Sequence, residues 1–354
     1  MRYRTPDKRS TDKGGFARVK DAKDFAATVE VSMIRGEYVA PADARATIGQ
    51  LGPRWLGRQT HLKPSALRPV EIAWRVHVAP RWSAVAVSDV RHTDVQQWVS
   101  DLSAKRGATT VIRAFGVLAA ILDDAVSDRR TLTNPARGVK VPRKVKAEHR
   151  YLTHQQVADL AAAAGVNGPM VLVLAYCGLR WGEAAGLRVR DLDLLRRRIS
   201  VVQNAVEVGS QVIVGTPKNH KRRTVPVPAF VVDHLARRCE GKDREDLLFP
   251  GPGGFMRPPR GTGGWFANAV ARSGVPRITP HSLRHTAASL GVSSGASVKS
   301  IQRMLGHASA AMTLDVYADL FDDDLDAVGV ALDHAATSSS VGFLWVKPTK
   351  ARDA

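Results

Sequence analysis

The pattern of apolar and polar positions divides the chain into a short amino-terminal segment, a helical stretch and a mixed stretch. Between Asp21 and about Gly36, Phe25, Val29 and Met33 return at the spacing of one face of an amphipathic helix. Ahead of it, Arg2-Tyr3-Arg4 and Phe16–Val19 read as two brief strands around a Lys/Gly turn. From about Ala46 to Val139 the period is helical. Pro64–Val78 carries Leu67, Val70, Ile72, Trp74, Val76 and Val78, more apolar positions than a surface helix uses. Thr93 with Gln96 reads as a capping box opening Asp94–Ser103, with Val95, Trp98, Val99 and Leu102 inward. Thr109 to about Ala125 forms a third long helix, and Asn134-Pro135 stops it. At core spacing, Trp74 and Trp98 are packing residues rather than platforms for bases.

The mixed stretch follows a basic, Pro-containing boundary at Lys140–Arg150. Thr153 and Gln156 form a capping box before Val157–Ala164. Gly168–Cys177 is an apolar helix, and Gly178 suits the left-handed residue that ends it. Arg180 therefore falls in a turn between two helices. Arg198–Val208 and Gln211–Val227 alternate β-branched and polar residues and read as strands. Ser297 can cap a short helix whose apolar stripe is Val298, Ile301, Met304 and Leu305. The Gly/Pro run Gly251–Gly264 lacks the strand, lysine and serine of a phosphate-cradling loop, so a nucleotide site is not expected.

Composition sharpens this picture through charge. The 354 residues carry 52 Lys and Arg against 33 acids, a formal charge of +19, which points to a polyanionic partner, above all nucleic acid. A membrane surface is the weaker alternative, because no basic amphipathic helix with a strong apolar face is present. With 44% hydrophobic residues the chain can build real cores, and its length suggests two or three domains. It has no run of eighteen apolar residues and no apolar leader at its amino terminus. Cys177 and Cys239 lie far apart and show no metal-ligand spacing. A reduced, cytoplasmic protein is expected, without a metal site.

The candidate chemistry concentrates between His281 and Tyr317. His281 and Arg284 are three residues apart, so on one helix they share a face and can reach the same anion. His307 follows the Ser297-capped helix, and Tyr317 lies ten residues further on. A cation, an imidazole pair and a phenol brought to one spot suit chemistry on a phosphate diester. Upstream, Arg180 sits at an apolar junction where a guanidinium needs a partner, either Glu183 or a phosphate. Lys218, Lys221, Arg222 and Arg223 cluster with His220 in a loop before a strand, where they can be drawn to a DNA backbone or form a merely electrostatic patch.

HSLRH at His281–His285, LGH at Leu305–His307 and the tyrosine ten residues later resemble the carboxy-terminal signature of the tyrosine recombinases, the phage integrase family. CGLRWGEAAGL at Cys177–Leu187 resembles the first arginine box of that family, and GTPKNHKRRTVPVP at Gly215–Pro228 its lysine-bearing hairpin. The gap from His307 to Tyr317 is one residue longer than in the commonest members. The resemblance spans about Ala147–Ala335. It implies a mainly α fold: a helical core-binding domain (46–139), a basic linker (140–150) and an α+β catalytic domain with a small antiparallel sheet (151–335). A short arm-type DNA-binding segment (1–45) is expected before them and a tail (336–354) after them.

By the same resemblance the catalytic set is Arg180, Lys218, His281, Arg284, His307 and the nucleophile Tyr317, with Glu183 orienting Arg180. Lys218 is preferred over Lys221 as the catalytic lysine because of its place before the closing strand. Lys140, Arg143, Lys144, Lys146, Lys221, Arg222 and Arg223 are expected to contact DNA. The arginines and histidines would hold the non-bridging oxygens, and Lys218 would protonate the leaving 5′ oxygen. His281 is also a candidate general base toward Tyr317. No cofactor is implied. The implied partners are double-stranded DNA attachment sites and three further copies of the chain, with a host DNA-bending factor and a directionality factor as further candidates. The apolar segment Val341–Val346 could dock on a neighbouring protomer or join its own sheet. Three other readings remain: a chromosome-dimer resolvase, against which the extra basic amino-terminal segment argues; a type IB topoisomerase; and a DNA-binding regulator that has lost catalysis.

Overall fold

The computed structural model describes residues 1–5, 10–145, 150–217, 222–259, 261, 263–307, 309, 311 and 324–338, the last stretch by backbone alone at 324–328 and 331. The chain divides into two compact units, Met1–Ala147 and Glu148–Ala354.

The amino-terminal unit opens with a two-stranded antiparallel hairpin, β1 (Arg2–Arg4) and β2 (Ser10–Asp12). The second strand is not Phe16–Val19, as the sequence pattern suggested. Phe16 instead packs its ring 5.5 Å from Phe25, and Val19 already begins α1 (Val19–Ile34). Tyr3 meets Phe25 and Tyr38 edge-on, so this small hairpin is fastened to α1 by aromatic contacts. After the short α2 (Pro41–Ala44) come α3 (Ile48–Gly57), whose Thr47–Gln50 capping box satisfies its first amides, and α4 (Pro64–Ala73).

Beyond α4 the helix does not stop. It widens into a π-turn at Trp74–Val78 and continues as α5 (Ala79–Trp82). Pro80 supplies the physical reason: its nitrogen has no hydrogen to give Val76, and its ring would crowd that carbonyl in a regular helix. α6 (His92–Ser103) starts two residues before the predicted Asp94, at an Arg91 cap without a side-chain bond. The expected Thr93–Gln96 box does not form. The Gln96 side chain instead accepts from the Lys140 amide at 2.9 Å and donates to its carbonyl at 3.2 Å. Together with α7 (Ala108–Ser127), these helices enclose a core of Ile48, Val95, Val111, Leu118, Ile121 and Leu122 around an edge-on Trp82–Trp98 pair.

The second unit is built around α9 (Gly168–Tyr176), apolar on every side and buried from Met170 to Ala175. α8 (His154–Ala163) starts at the predicted Thr153–Gln156 capping box. α10 (Trp181–Ala185) follows α9 after one turn. The two strand runs read from sequence break into shorter pieces. β3 (Leu192–Asp193), β4 (Arg198–Val201) and β7 (Arg223–Pro226) form an antiparallel sheet in that spatial order, with Ile199 opposite Val225 and Val201 opposite Arg223. Among the described residues, β5 (Asn204–Val208) and β6 (Gln211–Gly215) pair only with each other. The break falls at Val202-Gln203, where the Gln203 amide turns to the Gly186 carbonyl at 2.5 Å. α11 (Ala229–Cys239), the two-residue strands β8 (Pro250–Gly251) and β9 (Gly254–Phe255), α12 (Trp265–Ser273), α13 (Pro280–Ser293) and α14 (Val298–Leu305) complete the core, and a last helix spans Asp324–Ser338. Among the described residues no helix is long and apolar enough to cross a membrane.

Candidate active site

α13 is launched by a Thr279–Ser282 capping box with Pro280 in its first turn, which places His281 at the exposed start of the helix. Arg284, one turn later, is only 3% exposed. Its guanidinium donates to the Gly178 carbonyl and to the Leu305 carbonyl, and so joins the turn after α9 to the end of α14. Gly178 has φ +63°, and a Cβ there would lie 2.6 Å from Leu305 Cδ2. Both the backbone and the close approach of α14 therefore require glycine.

That turn delivers Arg180 to the N-cap of α10. The Arg180 amide donates to Glu183 Oε2 at 2.9 Å and its guanidinium to Glu183 Oε1 at 2.8 Å. Glu183 is buried, with 1% exposure. It accepts two further bonds, from Arg223 Nη1 at 2.9 Å and Nη2 at 2.6 Å. Burial alone would raise this carboxyl, but the hydrogen bonds and charge of Arg223, joined by Arg180, outweigh it and hold the pKa at about 2.

His307 is presented by α14. Ser297 caps that helix as the sequence predicted, and Gly306 closes it in the left-handed conformation at φ +66°. The His307 amide then bonds back to the Gln302 carbonyl at 3.1 Å. The imidazole is lowered to a pKa of about 4, first by burial and then by the charges of Arg284, Arg180, Arg223 and His281. Hydrogen bonds from Arg180 and Arg223 to Glu183, from Arg223 to Met304 and from Arg284 to Leu305 bring these cations together around His307, where α10, α13, α14 and β7 meet. His281 also meets His285 edge-on, with ring centroids 4.8 Å apart.

The other sequence-predicted residues are placed as follows. Tyr317, Lys218, Lys146 and Lys221 lie outside the described residues, as does the tail segment Val341–Val346. Arg143, Lys144 and Arg222 are exposed, while Lys140 has its backbone pinned to Gln96. Arg223, expected among the DNA-contacting cations, turns inward to Glu183 and to the Met304 carbonyl at 2.9 Å, with its side chain 11% exposed. Strand alternation explains it: Arg223 shares a face with buried Val225, two residues on. Among the described residues no group of three or more His, Cys, Asp or Glu is placed to hold a metal ion.

The sequence pattern of the phage integrase family matches residues 150–323, the span that contains every residue of this site. The chain belongs to the phage integrase family. It is a site-specific tyrosine recombinase of the phage and mobile-element type. A putative prophage phiRv2 integrase of Mycobacterium tuberculosis is 27% identical over 280 residues, covering 76% of this chain and 73% of that protein. The Tn1549 transposon integrase in complex with a circular intermediate DNA shares the fold at a TM-score of 0.68 and 22% identity, covering 77% of this chain and 95% of that one. A lambda integrase tetramer bound to a Holliday junction does so at 0.61 and 16%, covering 89% and 91%. The expected mainly α architecture with small antiparallel sheets is the architecture of this recombinase.

Proposed function

We propose that this recombinase cleaves and rejoins double-stranded DNA at attachment sites through a covalent link between Tyr317 and the 3′ phosphate, integrating or excising a phage or mobile element. The convergence of Arg180, Arg284 and His307, each held by fixed partners, carries the reading. The diester's negative charge spreads over its non-bridging oxygens as Tyr317 attacks. Two guanidiniums and two imidazoles are the donors that offset it, and their seats exist before DNA arrives. The phenol loses its proton as its oxygen bonds to phosphorus, with His281 the candidate acceptor. The 5′ oxygen leaves and takes a proton from Lys218. Attack by the partner strand's 5′ hydroxyl then reverses the linkage, so no external energy source is consumed.

The assembly proposed is four copies on two DNA sites, in line with the likeness to the lambda tetramer. Exposed Arg143, Lys144 and Arg222 add contacts to the DNA backbone. The test is a nicked suicide duplex carrying an attachment core, incubated with EDTA and run on a denaturing gel. Wild type should give a DNA-linked band that Tyr317→Phe loses while still binding the duplex. A band that persists in Tyr317→Phe would move the nucleophile elsewhere.

A further inference from the structure

Arg223 sits beneath the groups proposed to grip the phosphate. Its Nη1 and Nη2 engage both oxygens of Glu183, at 2.9 and 2.6 Å, whereas Arg180 gives that carboxylate one guanidinium bond, from Nη1 at 2.8 Å. Its Nε donates to the Met304 carbonyl at 2.9 Å, three residues before His307. A Cβ on Gly306 would lie 3.0 Å from Arg223 Cδ, so the turn that presents His307 closes directly over this side chain.

The charges give this arrangement a purpose. Arg180 and Glu183 alone would form a neutral pair, a poor seat for an anion. With Arg223 the trio carries a net +1, and the carboxylate's charge is shared between Arg180 and the two-pronged fork of Arg223. A guanidinium has five N–H groups, so Arg180 keeps four for another acceptor. We infer that Arg223 is a positioning residue: it offsets the charge of Glu183, frees Arg180 to act as a cation on the scissile phosphate, and fixes the turn of His307. The inference rests on the reading of Arg180 as a phosphate ligand.

The experiment measures single-turnover cleavage by saturating protein on a nicked duplex selected from random-sequence DNA by the wild-type protein. Arg223→Gln should slow cleavage on the order of a hundredfold, as a displaced catalytic group does, with binding little changed. Glu183→Gln added to Arg223→Gln should recover cleavage about tenfold over the single variant, because no carboxylate is left to neutralise Arg180. Arg223→Lys keeps the charge and loses the fork, and should cleave within about tenfold of wild type. A double variant no faster than Arg223→Gln, or a hundredfold loss in Arg223→Lys, would overturn the inference and make Arg223 a packing strut. The lysine variant carries the test alone should Arg223→Gln not fold. Arg180→Ala is run beside them: if it cleaves normally, the reading of Arg180 fails, whatever Arg223 does.

Discussion

Arg284 and Arg180 serve one proposed phosphate site from opposite kinds of seat. Arg284 is gripped by the carbonyls of Gly178 and Leu305, groups that come with the fold and cannot be titrated. Arg180 is oriented by Glu183, a carboxylate whose own charge would cancel it without Arg223. A seat made of backbone costs a buried cation and a left-handed glycine, yet its geometry is as rigid as the packing of α13 on α9 and α14. A seat made of side chains is adjustable, because one substitution or one proton changes its sign. The site therefore joins a fixed anchor to a tunable one.

The contrast breaks first at the arginines. Arg284→Ala and Arg180→Ala should each lower the rate of adduct formation by about a hundredfold to a thousandfold, the scale of losing one preorganised donor. Arg284→Ala should also cost more stability, about 1–3 kcal/mol for each carbonyl left buried and unmet. Arg180→Ala should cost about 1 kcal/mol or less in a urea melt, since Glu183 keeps Arg223. Equal melting losses would erase the distinction between the seats. Next in size, Gly178→Ala forces a side chain onto φ +63° and into Leu305, and should destabilise by roughly 1–3 kcal/mol. Its cleavage should fall further than that of an equally destabilised variant elsewhere, because the shifted carbonyl is the one Arg284 holds.

The smallest effect is set by pH. His307 has its pKa lowered from 6.5 to about 4 in the folded protein. As pH falls through 6.5 the unfolded chain binds a proton that the native site refuses, so stability should decline between about pH 6.5 and 4. Glu183, lowered from 4.5 to about 2, extends the decline below that window. Arg223→Gln should raise the His307 pKa and narrow the window from its acid end, which an NMR titration of the imidazole would read. An unchanged His307 titration in Arg223→Gln would separate the two halves of the site.

Local signals carried most of this site into view from sequence. His281 and Arg284 share a helix because three residues make nearly a turn, and Ser297, Gly306 and Thr153 punctuate helices through chemistry confined to one turn. Arg180 was legible as a guanidinium at an apolar junction. What escaped was set by distant partners. The Gln96 side chain serves Lys140, 44 residues away, rather than capping its own helix. Arg223 looked like one more cation in a basic loop, though its alternation with Val225 marked it as inward-facing. The strand runs could not show where β4 and β5 part, because that depends on which partner strand each one finds.

The π-turn at Trp74–Val78 has a consequence for how the amino-terminal unit tolerates its own length. Eight residues separate Trp74 from Trp82, and eight residues of regular α-helix overshoot two full turns by about 80°. Trp82 is nevertheless buried in the core cluster against which Trp74 also packs. The widened turn takes back the overshoot, since its larger ring spreads one rotation over more residues. The segment thus holds one residue beyond what two turns require, stored as slack in the helix rather than expelled as a loop, and the angular phase of everything downstream is preserved.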